Sequence, residues 1–135
     1  MPIQFSVPVR NAMLDAIEAE IGATAILRIR TGPAPANCAA VDSGSVLATL
    51  TLPADWMTAA AAGVKSKSGA WQDLSADASG IAEHFRIYDS GGTICGMQGT
   101  VSITGGGGNM TVDNNVLAIT QQFSVTAFDL TAGNP

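Results

Sequence analysis

Along residues 9–21 the apolar positions recur at helical spacing: Met13, Ile17 and Ile21 fall at i, i+4 and i+8 with Leu14 beside them, while Arg10, Asp15, Glu18 and Glu20 lie mostly elsewhere on the wheel. The spacing predicts one amphipathic helix over residues 9–22, with Pro8 suited to its first turn and Gly22 to the left-handed residue that ends it. Its stripe of Met13, Leu14, Ile17 and Ile21 is expected to cover a core. Ahead of it, residues 1–8 read as an arm in which Ile3, Phe5 and Val7 alternate with other side chains. Such an arm either adds an extended strand to a partner's sheet edge or packs on its own domain.

After Gly22 the period changes to two. In residues 25–30 Leu27 and Ile29 point one way and Arg28 and Arg30 the other, and residues 46–52 alternate again before Pro53 stops them. Further strands are predicted over 69–74, 82–89, 93–104, 110–113, 116–120 and 121–130. In the second of these Phe85 and Ile87 share one face, and His84, Arg86 and Tyr88 the other. The alanine-rich stretch 56–64 reads as a helical turn or a loop anchored by Trp56 and Met57. No two strands are separated by the helical pattern of a βαβ crossover, which predicts an antiparallel sheet. The fold class is therefore mainly β: an antiparallel jelly-roll or Greek-key β-sandwich over residues 23–135 with one N-terminal amphipathic helix, in a single domain.

Composition narrows the function classes. Charged residues make up 13% of the chain and the net charge is −5, so there is no basic stripe to track phosphates and no direct nucleic-acid binding is expected. No apolar run reaches the length of a membrane span, and the opening residues lack the cationic and apolar regions of a secretory signal, so use without export and without a membrane is expected. Cys38 and Cys95 show no metal-ligand spacing; the sequence does not pair them, and both are expected reduced and partly buried.

Motifs that could carry chemistry fail on context. Asp89-Ser90-Gly91-Gly92 matches the nucleophile loop of trypsin-like proteases by residue type, but the one histidine, His84, lies on the strand leading into it, so the quartet reads as a turn. His84 has no sequence-evident carboxylate or thiol partner and reads as a polar strand residue. Asp73, Asp77, Glu83 and Asp89 offer carboxylate pairs without a spacing that selects one.

The run Gly105-Gly106-Gly107-Gly108 places Met110 where a dinucleotide fingerprint needs glycine or alanine and where a calcium-binding β-roll needs aspartate; no lysine follows Lys67 to complete a P-loop. Asn109, Asp113, Asn114 and Asn115 read as turn residues before calcium ligands. The run is expected to be a solvent-facing hairpin bend next to a short strand. No catalytic residue, cofactor or metal is predicted.

The stretches RNAMLDAIEAEIG, GPAPANCAA, LATLTLPADWM, HFRIYDSGGTICGMQGTVSITGGGGNMT and QQFSVTAFDLTAGNP together give the chain a pattern that resembles the small jelly-roll cement, or decoration, proteins coating tailed-bacteriophage capsids with an HK97-like shell. The resemblance implies a non-enzymatic homodimer, made in the host cytoplasm and bound in many copies to the virion's outer surface, bridging major capsid protein subunits. The arm residues Ile3, Phe5 and Val7 are the candidate partner contacts. The competing readings are a carbohydrate- or receptor-binding sandwich, for which Trp56, Trp71 and Tyr88 are the plausible platforms, and another virion component of the tail or head completion.

Overall fold

The computed structural model describes residues 2–133; Met1 of the expected arm and Asn134 and Pro135 of the expected sandwich lie outside them. Helix α1 spans Val7–Ile21. It starts two residues earlier than the pattern predicts because Ser6 caps it: its Oγ accepts the Val9 N–H and its carbonyl accepts that of Arg10. The arm is correspondingly shorter, and Val7 is helical where an extended residue was expected. Gly22 ends the helix at φ +97, its N–H donating to the Glu18 carbonyl.

Ten strands follow among the described residues: β1 (Ile26–Arg30), β2 (Val46–Thr51), β3 (Val64–Ser66), β4 (Gln72–Asp73), β5 (Gly80–Ile81), β6 (His84–Tyr88), β7 (Cys95–Ile103), β8 (Met110–Val112), β9 (Val116–Leu117) and β10 (Phe123–Thr131). The main sheet runs β2-β1-β6-β7-β8-β10-β3, with β4 also paired to β10, while β5 and β9 form a separate ribbon. The sheet curls: the Thr49 N–H of β2 donates to the Asp73 carboxylate of β4, and the Asp77 N–H donates to the Leu47 carbonyl. The result is mainly β with one helix, consistent with the jelly-roll sandwich expected. Of the strands, β3 and β5 were not predicted; β3 closes the stretch expected to be loop or helix, in which Trp56 and Met57 are indeed buried.

One enclosed core holds the layers together. Trp56, Trp71, Phe128 and Phe85 form a chain of ring contacts with centroids 5.9, 5.6 and 5.4 Å apart, joining the β6 side to β10. Both indoles donate to carbonyls, Trp56 to Gly22 and Trp71 to Ser68 and Trp56, so their burial leaves no N–H stranded.

The antiparallel expectation is corrected at one pair. Strands β7 and β8 run parallel, with Val101, Ser102 and Ile103 opposite Met110, Thr111 and Val112. Residues 104–109 accordingly form a tight return along the edge of β7, not a hairpin bend. Gly105 and Gly107 take φ +86 and +83, while a Cβ on Gly106 or Gly108 would lie 2.8 Å from Ser102 atoms. Ser102 Oγ accepts the Gly108 N–H at 2.9 Å, and the Asn109 amide oxygen accepts the Thr100 N–H at 3.0 Å. Two glycines turn the chain and two let it lie flat, which is how so short a link replaces the long crossover that parallel pairing ordinarily needs. The return is exposed apart from Gly108, which is half-buried.

Candidate functional site

Two regions stand out: an outward apolar face on α1 and its arm, and a charged cluster under the 31–45 loop. The first arises from how the helix docks. Leu14 is the one residue of α1 that is fully buried, with Ile21 packed half-buried against the core; much of the remaining docking is polar. Lys65 of β3, itself 2% exposed, lies 2.7 Å from the Asp15 carboxylate and 3.0 Å from that of Glu18. Asp15 also accepts the Ala60 N–H, Glu18 that of Met57 and Asn11 that of Gly63, while Arg10 donates to the Ala132 carbonyl.

Helical geometry puts Arg10, Asn11, Leu14 and Glu18 on one side of the cylinder and Val9, Met13, Ala16 and Ile17 on the flank. The expected apolar stripe is therefore split. Leu14 covers core, Ile17 and Ile21 are half-buried, and Met13 is 48% exposed.

The candidate partner residues extend this face: Ile3 is 76% exposed, and Phe5, Val7 and Val9 are exposed as well. Residues 2–6 carry no strand. Beside the helix, a groove of about 610 Å³ is lined by Met13, Ala16, Ile17, Ile21, Ile94 and Gly96, with Glu20 and Asp89 supplying charge. Its floor depends on Gly96, where a Cβ would meet Ile21 Cγ1 at 2.5 Å.

The second region follows from cross-strand register. Arg28 pairs with Arg86, Arg30 with His84, Arg86 with Gln98 and Tyr88 with Cys95, stacking the polar faces of β1, β6 and β7 together. Two guanidinium groups directly opposite would repel. Residues 31–45 fold over this face and bring Asp42, whose carboxylate pairs with Arg30 at 3.0 Å, with Arg86, and with the Tyr88 hydroxyl at 2.6 Å. Arg86 also donates to the carbonyls of Asn37, Cys38 and Ala40 and to the Gln98 amide oxygen, and Arg28 sits 4.7 Å over the Tyr88 ring.

Burial pushes the Asp42 carboxyl up, but the hydrogen bonds from Tyr88 and Arg86 and the charges of Arg30 and Arg86 together hold it below the usual carboxylate range. Strand β6 is thus buried on both faces, where alternation suggested one wet face. Asp42 was missed by motif reading; its signal is that it is the sole acidic residue between Glu20 and Asp55. Lys65 carried no comparable signal.

The catalytic candidates fall where the pattern placed them, as structural parts. His84 is fully buried, with Nδ1 donating to the Gly32 carbonyl at 2.7 Å. Asp89 caps a turn, its carboxylate accepting the N–H groups of Thr93 and Ile94 and its carbonyl that of Gly92, and these bonds hold its pKa down. Asp73 and Asp77 bind β2, Asp77 through the Thr49 hydroxyl, and Glu83 accepts the Gly32 N–H. Asn109, Asp113 and Asn114 accept nearby backbone N–H groups as turn residues do.

Trp56, Trp71 and Tyr88, the rings available to a glycan, are each at most 2% exposed. Among the described residues no helix is long and apolar enough to cross a membrane. Compared with protein-family models, curated proteins and solved structures, the chain matches none.

Proposed function

We propose that this chain is a non-enzymatic structural protein of a tailed-bacteriophage virion: a homodimer, made in the host cytoplasm, that binds the outer capsid surface in many copies and bridges major capsid protein subunits. The observation that carries the reading is the helix turned against its ordinary use, with charged residues docking it and apolar Met13, Val9, Val7, Phe5 and Ile3 left outward. An apolar strip in a surface so poor in charge lies against another protein without stranding ions. Repeated over a symmetric shell, modest contacts of this kind add up. A glycan-binding role is less well supported, because its three candidate platforms are in the core.

The test mixes the purified chain with expanded, undecorated capsids and counts bound copies. Saturable binding at every equivalent lattice position is the expected result, and replacing Ile3, Phe5 and Val7 together by serine should lower the affinity at least tenfold, while Ile3→Ser alone, at the most exposed of the three positions, should lower it without moving the melting temperature. Binding at a single vertex would assign the chain to a tail or head-completion role, and no binding would discard the capsid reading.

A further inference from the structure

The groove of about 610 Å³ between α1 and the turn leading into β7 has an apolar floor, and its charged lining is two carboxylates and no cation. Met13, Ile17 and Ile21 follow one another along its helix wall over about 12 Å, the length of about four residues of extended chain. The opposite wall is fixed. The Asp89 N–H donates to the Ile94 carbonyl at 3.0 Å and the Asp89 carboxylate accepts the Ile94 N–H at 3.2 Å, so exposed Ile94 is held at the rim by a bonded turn.

Both carboxylates have room for a donor. Asp89 Oδ1 takes the backbone bonds of the turn, while Oδ2 has only the Thr93 hydroxyl at 3.5 Å. Glu20 is exposed, and its carboxylate has no hydrogen-bond or ion-pair partner among the described residues. Arg28 reaches the same turn, donating to the Gly92 carbonyl at 3.0 Å, but does not line the groove.

We propose that this groove docks a short extended segment of another protein, apolar at alternate positions and ending in a lysine or arginine, with the apolar side chains on the Met13–Ile17–Ile21 wall and the cation at Glu20 and Asp89. Charge selects that chemistry. A wholly apolar cover would take two carboxylates out of water unpaired. A cation at Glu20 also meets the C-terminal end of α1, whose last turn holds no basic residue to offset the helix dipole. A second copy does not fit, because its own groove brings the same two carboxylates and its residues 2–9 include no lysine or arginine. The preference belongs to the groove and stands apart from the capsid reading, so peptide binding and capsid binding can fail separately.

The experiment titrates the ¹⁵N-labelled native chain with three capped tetrapeptides, acetyl-Leu-Ala-Leu-Arg-amide and the same sequence ending in Gln or in Glu, and follows backbone amide shifts. Expected are saturable shifts confined to residues 13–22 and 89–96, with the Arg peptide bound most tightly and the Glu peptide weaker by about three- to tenfold. Ile94→Ser should weaken all three peptides. Glu20→Lys, which places a cation where the helix end favours one, should keep the melting temperature and remove the preference for Arg. Equal binding of the three peptides, shifts centred elsewhere, a preference unchanged in Glu20→Lys, or no saturable binding would each overturn the proposal.

Discussion

At the scale of single residues, Asp42 illustrates how one carboxylate can decide whether a charged face is tolerable. Arg30 and Arg86 are 6% and 1% exposed, and Asp42 pairs with both while accepting from Tyr88. Removing it leaves two buried guanidinium groups short of their counter-charge, a loss of about 3–5 kcal/mol for a fully enclosed pair. Because the Asp42 side chain is itself 38% exposed, water screens part of that, and Asp42→Ala should cost about 2–3 kcal/mol in urea unfolding. Asp42→Asn should cost less, since the amide still accepts from Tyr88. If the alanine variant unfolds at the wild-type urea concentration, the cluster holds nothing.

The members of this cluster on β1 and β6 were legible as a polar face from their alternation. That the face is dry was not, because its cover comes from a proline-rich loop whose path depends on carbonyls, which no side-chain pattern records.

At the scale of elements, α1 shows where periodicity stops being informative. Its existence, its proline start and its glycine end follow from local chemistry, and so they were readable. Its orientation was not, because the buried Lys65, on a strand that the pattern missed, pairs with Glu18, which is largely covered, and with Asp15 at the rim, and so turns the helix about its axis. The helix has no acidic residue in its first turn and no basic residue in its last, so its own macrodipole is uncompensated and docking must supply its stability.

Leu14→Ala should therefore cost about 2–4 kcal/mol, whereas Met13→Ala should stay within about 0.5 kcal/mol, although both belong to one apolar stripe. Equal losses in thermal unfolding would refute the outward placing of Met13. The parallel β7–β8 pair failed for a related reason. A four-glycine run is compatible with a bend of any kind, and only the contact of Gly106 and Gly108 with Ser102 chooses the return over the hairpin.

For the whole molecule, the question is whether stability follows net charge or specific partners. General self-repulsion would place the maximum near the isoelectric point of about 4.4. The partners argue otherwise. Asp15 is held below its ordinary pKa by the Lys65 hydrogen bond, then that of the Ala60 N–H; Asp89 by its turn; and Asp42 by Tyr88, Arg86 and Arg30 against the opposing effect of burial. Around pH 4 and below, the unfolded chain takes up protons that the folded one refuses, so stability falls as pH drops through the folded-state values.

Lys65 and Tyr88 act at the other end. Burial lowers the lysine pKa, but its bonds to Asp15 and Glu18 and their charges raise it overall; burial and the Asp42 bond both raise the tyrosine. Their contribution is complete below about pH 10 and is lost as pH rises through the folded values, where the unfolded chain has already released its protons. Urea unfolding from pH 3 to 11 should give a plateau between about pH 5 and 9 with a decline on both sides, and Asp42→Ala should flatten the acid limb. A maximum at pH 4.4 would mean that net charge governs and that the ion clusters of the helix dock and the loop add little. With charges only 13% of the chain, most of them already placed against named partners, the plateau is the outcome this architecture requires.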